Sequence, residues 1–291
     1  MTNIVIASGK GGTGKTLVAT SLALAAAERG ACALLDADVE EPNAALFLGV
    51  HVEVVADVVR KVPVVDQTKC THCGICAQVC QFNAIAVLPN KTLVFEELCH
   101  GCGSCERQCP ESAIREEGRK SGVIEGGRVD GLRFAQGVME VGEAMSPPII
   151  RDLKRYARER GWYDTGDVIM DAPPGTACPV VEALRGADCA LLVTEPTPFG
   201  LHDLVLAVQV AREIWSLPVG VVVNKDRAGV TLIDEYCREE DLPIVMRIPL
   251  ERRIAEAYSR GIPLLRAGLG YEQPFAELLA RARSLARGER P

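Results

Sequence analysis

Short apolar runs separated by longer amphipathic stretches set the rhythm of the chain. Ile4-Val5-Ile6 and the runs at 31–35, 167–170, 189–193, 219–223 and 244–248 read as buried strands. Ala/Leu-rich or amphipathic stretches at 17–29, 200–215, 230–240, 250–260 and 274–287 read as helices, with a short one at 43–48. Pro147-Pro148 opens another helix reaching about 160, and 132–141 holds a further strand. Strands alternating with helices predict an α/β fold, with a mostly parallel central sheet and helices on its faces. Between 62 and 118 this rhythm breaks, so the chain divides into 1–61, an insertion at 62–118, and 119–291. A Gly-rich joint at 121–131 leads back into the α/β pattern, and the last amphipathic helix is expected to dock on the core.

Composition narrows the picture. The 291 residues are 48% hydrophobic and only 4% aromatic, so the core is expected to be Val, Ile, Leu and Ala. A net charge of −7 argues against a general nucleic-acid or membrane-surface binder, and no nucleic-acid partner is expected. No apolar run is long enough to span a bilayer and the N-terminus reads straight into a strand, so neither membrane insertion nor a signal peptide is expected. Twelve cysteines, eight of them between 70 and 109, point to metal chemistry in a reducing cytoplasm rather than to disulfides.

The chemistry starts at Ser8-Gly-Lys-Gly-Gly-Thr-Gly-Lys-Thr16, set between the first strand and the first helix. That context makes it a phosphate loop: Gly9, Gly11, Gly12, Thr13 and Gly14 would wrap the phosphates with backbone amides. Lys15 would reach the β- and γ-phosphates, and the Thr16 hydroxyl would bind Mg²⁺. Acidic residues end two further buried strands, in Asp36-Ala-Asp38 and Asp171-Ala-Pro-Pro-Gly175. Carboxyl ends of parallel strands are where ligands bind in such folds. Asp171 is expected to hold Mg²⁺ through water, Asp36 to share the hydration shell, Asp38 to orient the attacking water, and the Gly175 amide to sense the γ-phosphate.

The insertion carries Cys-x2-Cys-x2-Cys-x3-Cys twice at a period of 29 residues: Cys70, Cys73, Cys76, Cys80, then Cys99, Cys102, Cys105, Cys109. This is the spacing of bacterial two-cluster ferredoxins, in which the fourth cysteine serves the other cluster. Cys70, Cys73, Cys76 and Cys109 are therefore assigned to one [4Fe–4S] centre, and Cys99, Cys102, Cys105 and Cys80 to a second. Zinc fits triplets with a trailing fourth cysteine badly. One departure is that Pro110 follows Cys109 but Gln81 follows Cys80. His72 and His100 do not match in the repeat and read as exposed loop residues. Cys32 and Cys189 read as core hydrophobes, Cys237 has no evident role, and Cys178 lies near the Asp171 segment with packing favoured over redox chemistry.

The early Lys10 in Lys10-Gly-Gly-Thr-Gly-Lys15-Thr16, with the two acidic segments, resembles the MinD/ParA group of P-loop ATPases. That group includes Mrp-type iron–sulfur carriers and the nitrogenase iron protein. Segments 195–202 and 248–254 are similar to its later motifs. The resemblance implies an ATP-dependent dimer, of two identical chains or with a paralogous ATPase, in which Lys10 reaches the phosphates of the partner. It also implies that Asn224 reads adenine, although Asn224-Lys-Asp226 is similar to a guanine-reading motif, so ATP over GTP rests on the resemblance alone. The implied cofactors are ATP/ADP, Mg²⁺ and two [4Fe–4S] clusters. The leading reading is an ATPase whose dimer switching is coupled to electron transfer, because all eight insertion cysteines are used in ligation. The alternatives are an iron–sulfur assembly or carrier ATPase of the Mrp type, and a positioning ATPase with structural or sensing clusters. Seven acidic against four basic side chains from Asp66 to Gly118 call for a redox or apo-protein partner with a basic docking face. Oxygen-sensitive clusters place the protein in the cytoplasm of an anaerobic or microaerobic prokaryote.

Overall fold

The computed structural model describes residues 1–289. In chain order the elements are β1 (Asn3–Ala7), α1 (Lys15–Ala27), β2 (Cys32–Asp36), α2 (Ala44–Leu48), β3 (Glu53–Val65), α3 (Ile75–Val79), β4 (Ile85–Leu88), β5 (Lys91–Val94), α4 (Ser104–Arg107), β6 (Ile114–Val129) and β7 (Leu132–Met139). There follow α5 (Pro147–Glu159), α6 (Trp162–Thr165), β8 (Asp167–Asp171), α7 (Cys178–Leu184), β9 (Cys189–Thr194), α8 (Pro198–Gln209), β10 (Val219–Asp226), α9 (Leu232–Glu239), β11 (Ile244–Pro249), α10 (Arg252–Ser259) and α11 (Glu272–Ala286). A nine-stranded sheet runs in the order β11-β10-β9-β1-β8-β2-β7-β6-β3. Strands from β11 to β7 are parallel, while β6 and β3 pair antiparallel at one edge.

Each face of the sheet buries its own apolar layer. Ile4, Ile6, Leu34, Phe134 and Ile169 point to one side and pack under α1 and α11. Val5, Ala7, Leu35, Ala135 and Met170 point to the other and pack under α5, α7 and α8. Successive strand residues alternate between faces, so strands buried on both sides need unbroken apolar runs, which is the pattern read above. The Ala-rich α1 is pressed between the sheet and α11, where small side chains let helix and strands approach closely. The α11 face formed by Phe275, Leu278, Leu279, Ala282 and Leu285 is buried on this core. Among the described residues no helix is long and apolar enough to cross a membrane.

The structure departs from expectation at the insertion. Residues 121–129 are not a joint but the inner part of β6. Their glycines are there for close approach: a Cβ on Gly122 would lie 2.5 Å from the Val138 carbonyl oxygen, and one on Gly127 2.3 Å from that of His51. β3, absent from the sequence reading, pairs with β6 from Glu53 opposite Gly126 out to Val65 opposite Ile114. The two strands form one continuous arm, so the boundaries expected at 61/62 and 118/119 fall inside strands. The cysteine-rich lobe, residues 66–113, is held at the tip of that arm and contains α3, α4 and the β4–β5 hairpin. A lobe on paired strands moves with the sheet edge, whereas one on a Gly-rich linker would not.

Candidate functional site

β1 ends at Ala7, the loop turns, and α1 begins at Lys15. Gly14 sits at the start of α1 with φ +97°, and a Cβ there would lie 2.3 Å from Asn224 Nδ2. Gly14→Ala is therefore expected to lower stability by about 1–3 kcal/mol and to weaken ADP binding on the order of tenfold. Thermal melts and calorimetric titration check this; an unchanged melt would mean the loop is not held as described. The first amides of α1 face the loop's hollow, where an anion is favoured by the helix dipole. Lys15 and Thr16 are buried at its base.

Thr16 Oγ1 donates to Asp171 Oδ2 at 2.6 Å, while Asp171 Oδ1 is buried with no hydrogen-bond partner among the described residues. Asp36 ends β2 directly opposite Asp171 on β8, so parallel register sets two carboxyl groups side by side. Burial, and next the charge of Asp36, raise Asp171 well above the usual carboxylate range. Burial lifts Asp36 to about 6 against the opposing hydrogen bonds from Ala44, Asp38 and Asn43. A divalent cation is the natural relief for two buried carboxylates, and an oxygen without a partner is what it needs.

Asp36 does more for the chain than the sequence shows. Its Oδ1 accepts the amide of Asp38 at 3.1 Å, and its Oδ2 accepts those of Asn43 and Ala44 at 3.0 and 2.9 Å. Both oxygens are engaged in shaping the loop 37–44, a role the sequence reading did not assign to Asp36. Asp38 is half-buried at the mouth; burial raises it and Lys15 draws it back down. The Gly175 amide donates to the Ser8 carbonyl at 3.1 Å, so it is not the free amide expected. Asn224 is likewise committed: Nδ2 donates to the Thr13 carbonyl at 2.7 Å and Oδ1 accepts the Lys225 amide at 2.9 Å. It braces the phosphate loop from β10, two strands away from β1, rather than offering a free amide to a base. Next to it opens a cavity of about 210 Å³ lined by Leu17, Pro249, Leu250, Ile254 and Tyr258. Those side chains come from three separate elements, and no local signal in the sequence joins them. Lys10 Nζ lies 4.0 Å from Glu195 Oε2, whose other oxygen accepts Lys225 Nζ at 2.6 Å.

A family model described as the CobQ/CobB/MinD/ParA nucleotide binding domain matches residues 4–264. The chain belongs to this family. An uncharacterized protein of Methanocaldococcus jannaschii is 36% identical over 76% of this chain and 77% of its own length. An iron–sulfur cluster carrier protein of Pyrococcus horikoshii is 25% identical over 90% of this chain and 78% of its own length. Among solved structures, the septum site-determining protein MinD of Pyrococcus horikoshii, complexed with Mg-ADP, superposes with a TM-score of 0.61 at 20% identity. It covers 98% of this chain and 97% of its own, and at that identity it speaks for the fold alone.

A second group of candidate site residues lies in the lobe of this MinD/ParA-family chain. Cys70, Cys73, Cys76 and Cys109 line one small cavity, and Cys80, Cys99, Cys102 and Cys105 line a second. The structure thus brings together the two sets grouped from the spacing, each fourth cysteine crossing to the other cavity. The repeat also shows in the sulfur contacts: Ala84 N–H donates to Cys80 Sγ and Ala113 N–H to Cys109 Sγ, both at 3.3 Å. Burial raises Cys76, and raises its counterpart Cys105 to about 11. Among the described residues no three Cys, His, Asp or Glu side chains converge on a single-ion site. His72 is not the exposed residue expected: its Nδ1 lies 3.5 Å from Cys70 Sγ and 3.3 Å from Thr92 Oγ1. His100 is exposed and stacks on Phe82.

The remaining cysteines are elsewhere. Cys32 and Cys189 are core residues whose thiols burial pushes up to about 12. Cys237, without a role in the sequence reading, is also core, on the buried face of α9. Cys178 is exposed at the first turn of α7 and lines neither cavity.

Proposed function

We propose that this chain is a Mg²⁺-dependent ATPase that carries two [4Fe–4S] clusters in its lobe and works in iron–sulfur cluster assembly or delivery. The observation that carries this reading is the pair of four-cysteine cavities on a MinD/ParA core. The relative named as an iron–sulfur cluster carrier supports delivery over the electron-transfer role favoured by the cysteine count. Thiols that surround a cavity without converging on one point suit a cuboidal cluster and not a lone zinc ion. Burial raises the thiols of Cys76 and of half-buried Cys105, and since a ligand must be the thiolate, loading of the lobe would release protons. When bound, such clusters supply one-electron chemistry or act as cargo.

At the nucleotide site the loop amides of Gly9, Gly11, Gly12, Thr13 and Gly14 and the Lys15 ammonium would bind the phosphates. Thr16 and the unpartnered oxygen of Asp171 would hold Mg²⁺ with its waters. Asp38 at the mouth would accept a hydrogen bond from the attacking water and set its line of approach. The apolar cavity beside Asn224 would take the base, with Asn224 fixing the loop beneath it. Lys10 would leave Glu195 to reach the phosphates of a second chain, identical or paralogous, closing an ATP-dependent dimer.

The second reading, electron transfer, is favoured by one observation. Every lobe cysteine already lines a complete set, so none is spare for handing a cluster on. The deciding experiment loads the full chain anaerobically and mixes it with an apo-form [4Fe–4S] enzyme, with and without Mg·ATP. Delivery predicts that the acceptor gains activity with ATP while the lobe loses iron in step. Clusters retained through many turnovers, with a reduction potential that shifts on adding nucleotide, would move the assignment to electron transfer.

A further inference from the structure

Arg60, on the arm strand β3, is buried at 7% exposure and pairs with Glu143, itself 8% exposed, at 3.2 Å. Its Nη1 also donates to the backbone carbonyls of Cys99 at 2.7 Å and Glu96 at 3.1 Å, while its Nε is buried with no partner among the described residues. An ion pair taken out of water with one donor unsatisfied is a poor stabiliser, because desolvation offsets most of the attraction. A well-packed apolar pair would serve stability as well, so its value lies in what it connects.

On one side it holds the second cysteine loop. The Arg60 fork grips the chain at Cys99, and Gly101 (φ +62°) lies so close that a Cβ there would be 2.8 Å from the Lys61 carbonyl oxygen. On the other side a line of backbone bonds leads to the nucleotide site. Ala37 N–H donates to the Asp171 carbonyl at 2.9 Å, and Met139 N–H, at the end of β7, donates to the Val39 carbonyl at 2.9 Å. Val39 follows Asp38 directly and is pressed against Gly137, where a Cβ would lie 2.7 Å from its Cγ1. Past Met139 the chain turns, with Glu140 N–H on the Ser121 carbonyl at 3.0 Å and Glu143 N–H on the Glu140 carbonyl at 3.1 Å. The Glu143 carboxylate is fixed by the amides of Ala144 and Met145 at 3.0 and 3.1 Å and then meets Arg60. The first cysteine loop is held within the lobe, by Cys70 N–H on the Asp66 carbonyl at 3.1 Å and by Thr92 beside Cys70 Sγ.

We propose that the Arg60–Glu143 pair is a strut that transmits movement of the Asp38–Val39 loop to the Cys99 loop, so that nucleotide state sets the position of the second cysteine set and not the first. This rests on the nucleotide reading above. Arg60 is thus a positioning residue, joined to the switch through packed and hydrogen-bonded neighbours.

Hydrogen–deuterium exchange on the full, metal-loaded chain, with Mg·ADP against Mg²⁺ and a non-hydrolysable ATP analogue, tests the proposal. In the unmodified chain exchange at 36–44 and at 96–105 should change together, by about fivefold, with little change at 70–76. In Arg60→Gln and in Glu143→Gln the response at 36–44 should remain and that at 96–105 should vanish. Arg60→Lys keeps the charge but not the fork; it should melt close to the unmodified chain and still lose the response at 96–105. A response at 96–105 that survives in Glu143→Gln and Arg60→Lys overturns the strut. So does an unmodified chain that responds at 36–44 alone. Absence of any nucleotide protection at 9–17 would instead overturn the nucleotide reading, and the strut with it.

Discussion

Asp171→Asn is expected to abolish nucleotide hydrolysis and, at the same time, to make the nucleotide-free chain more stable. The two effects share one cause. Asp171 and Asp36 lie in register at the ends of adjacent buried strands, and both titrate above the usual carboxylate range. A carboxyl group whose folded-state pKa is raised contributes stability below its unfolded value, about 3.9, and loses it as pH climbs through the folded value. For Asp36 that window closes near pH 6, at a cost of about 3 kcal/mol above it. Asp171, raised by burial and by the charge of Asp36, loses stability in the same direction as pH rises. Asn at 171 cannot ionise, still accepts the Thr16 hydroxyl, and removes that cost. We expect the nucleotide-free variant to be more stable than the unmodified chain at pH 8 and to gain little or nothing at pH 4. Hydrolysis should fall by about a thousandfold, since the Mg²⁺ site loses the charge that holds it. Denaturant melts at the two pH values and a steady-state phosphate assay check both halves. Equal stability at pH 8, or turnover within tenfold of the unmodified chain, would sink the account.

Replacing the crossing cysteines should separate the two cavities. Cys80→Ser is expected to damage the same centre as Cys102→Ser, although Cys80 is nearer in sequence to Cys76. Cys109→Ser should pair with Cys73→Ser. Each single change should leave roughly half of the iron and one of two sets of reduced-state paramagnetic signals. ATP hydrolysis should persist in all four, because the phosphate loop shares no residue with the lobe. If Cys80→Ser removes the signals lost in Cys73→Ser, the fourth ligands do not cross.

Local chemistry made the two sites legible from the sequence. A phosphate loop is nine consecutive residues, and each cysteine set is a short repeat with one long step. Strands buried on both faces announce themselves as apolar runs, which is why six of the nine strands of the main sheet could be placed from such runs, with a seventh, β7, read from 132–141. What stayed hidden depends on distant partners. β3 and β6 mix charged, apolar and Gly positions, and only their mutual pairing makes them strands. Arg60 and Glu143 are 83 residues apart, and nothing near either marks it as buried. The fold brings Asp36, Gly175 and Asn224 beside the glycine loop, but which of their atoms the chain itself occupies is a property of the closed fold. The cavity beside Asn224 draws its walls from α1, α10 and the turn after β11, so no window of sequence contains it.

The order of strands also governs how this chain comes to be. β2 has β7 as its neighbour, and Leu132 lies nearly a hundred residues beyond Asp36. During synthesis that flank of β2 stays open until the whole arm and lobe have emerged. Long-range parallel pairing is slow to form, and an open strand edge is prone to wrong partners in the meantime. The cysteine lobe is therefore synthesised before the nucleotide core can close. Breaking the β3–β6 pairing of the arm, as distinct from emptying the lobe, should show up as a failure of β7 to reach β2.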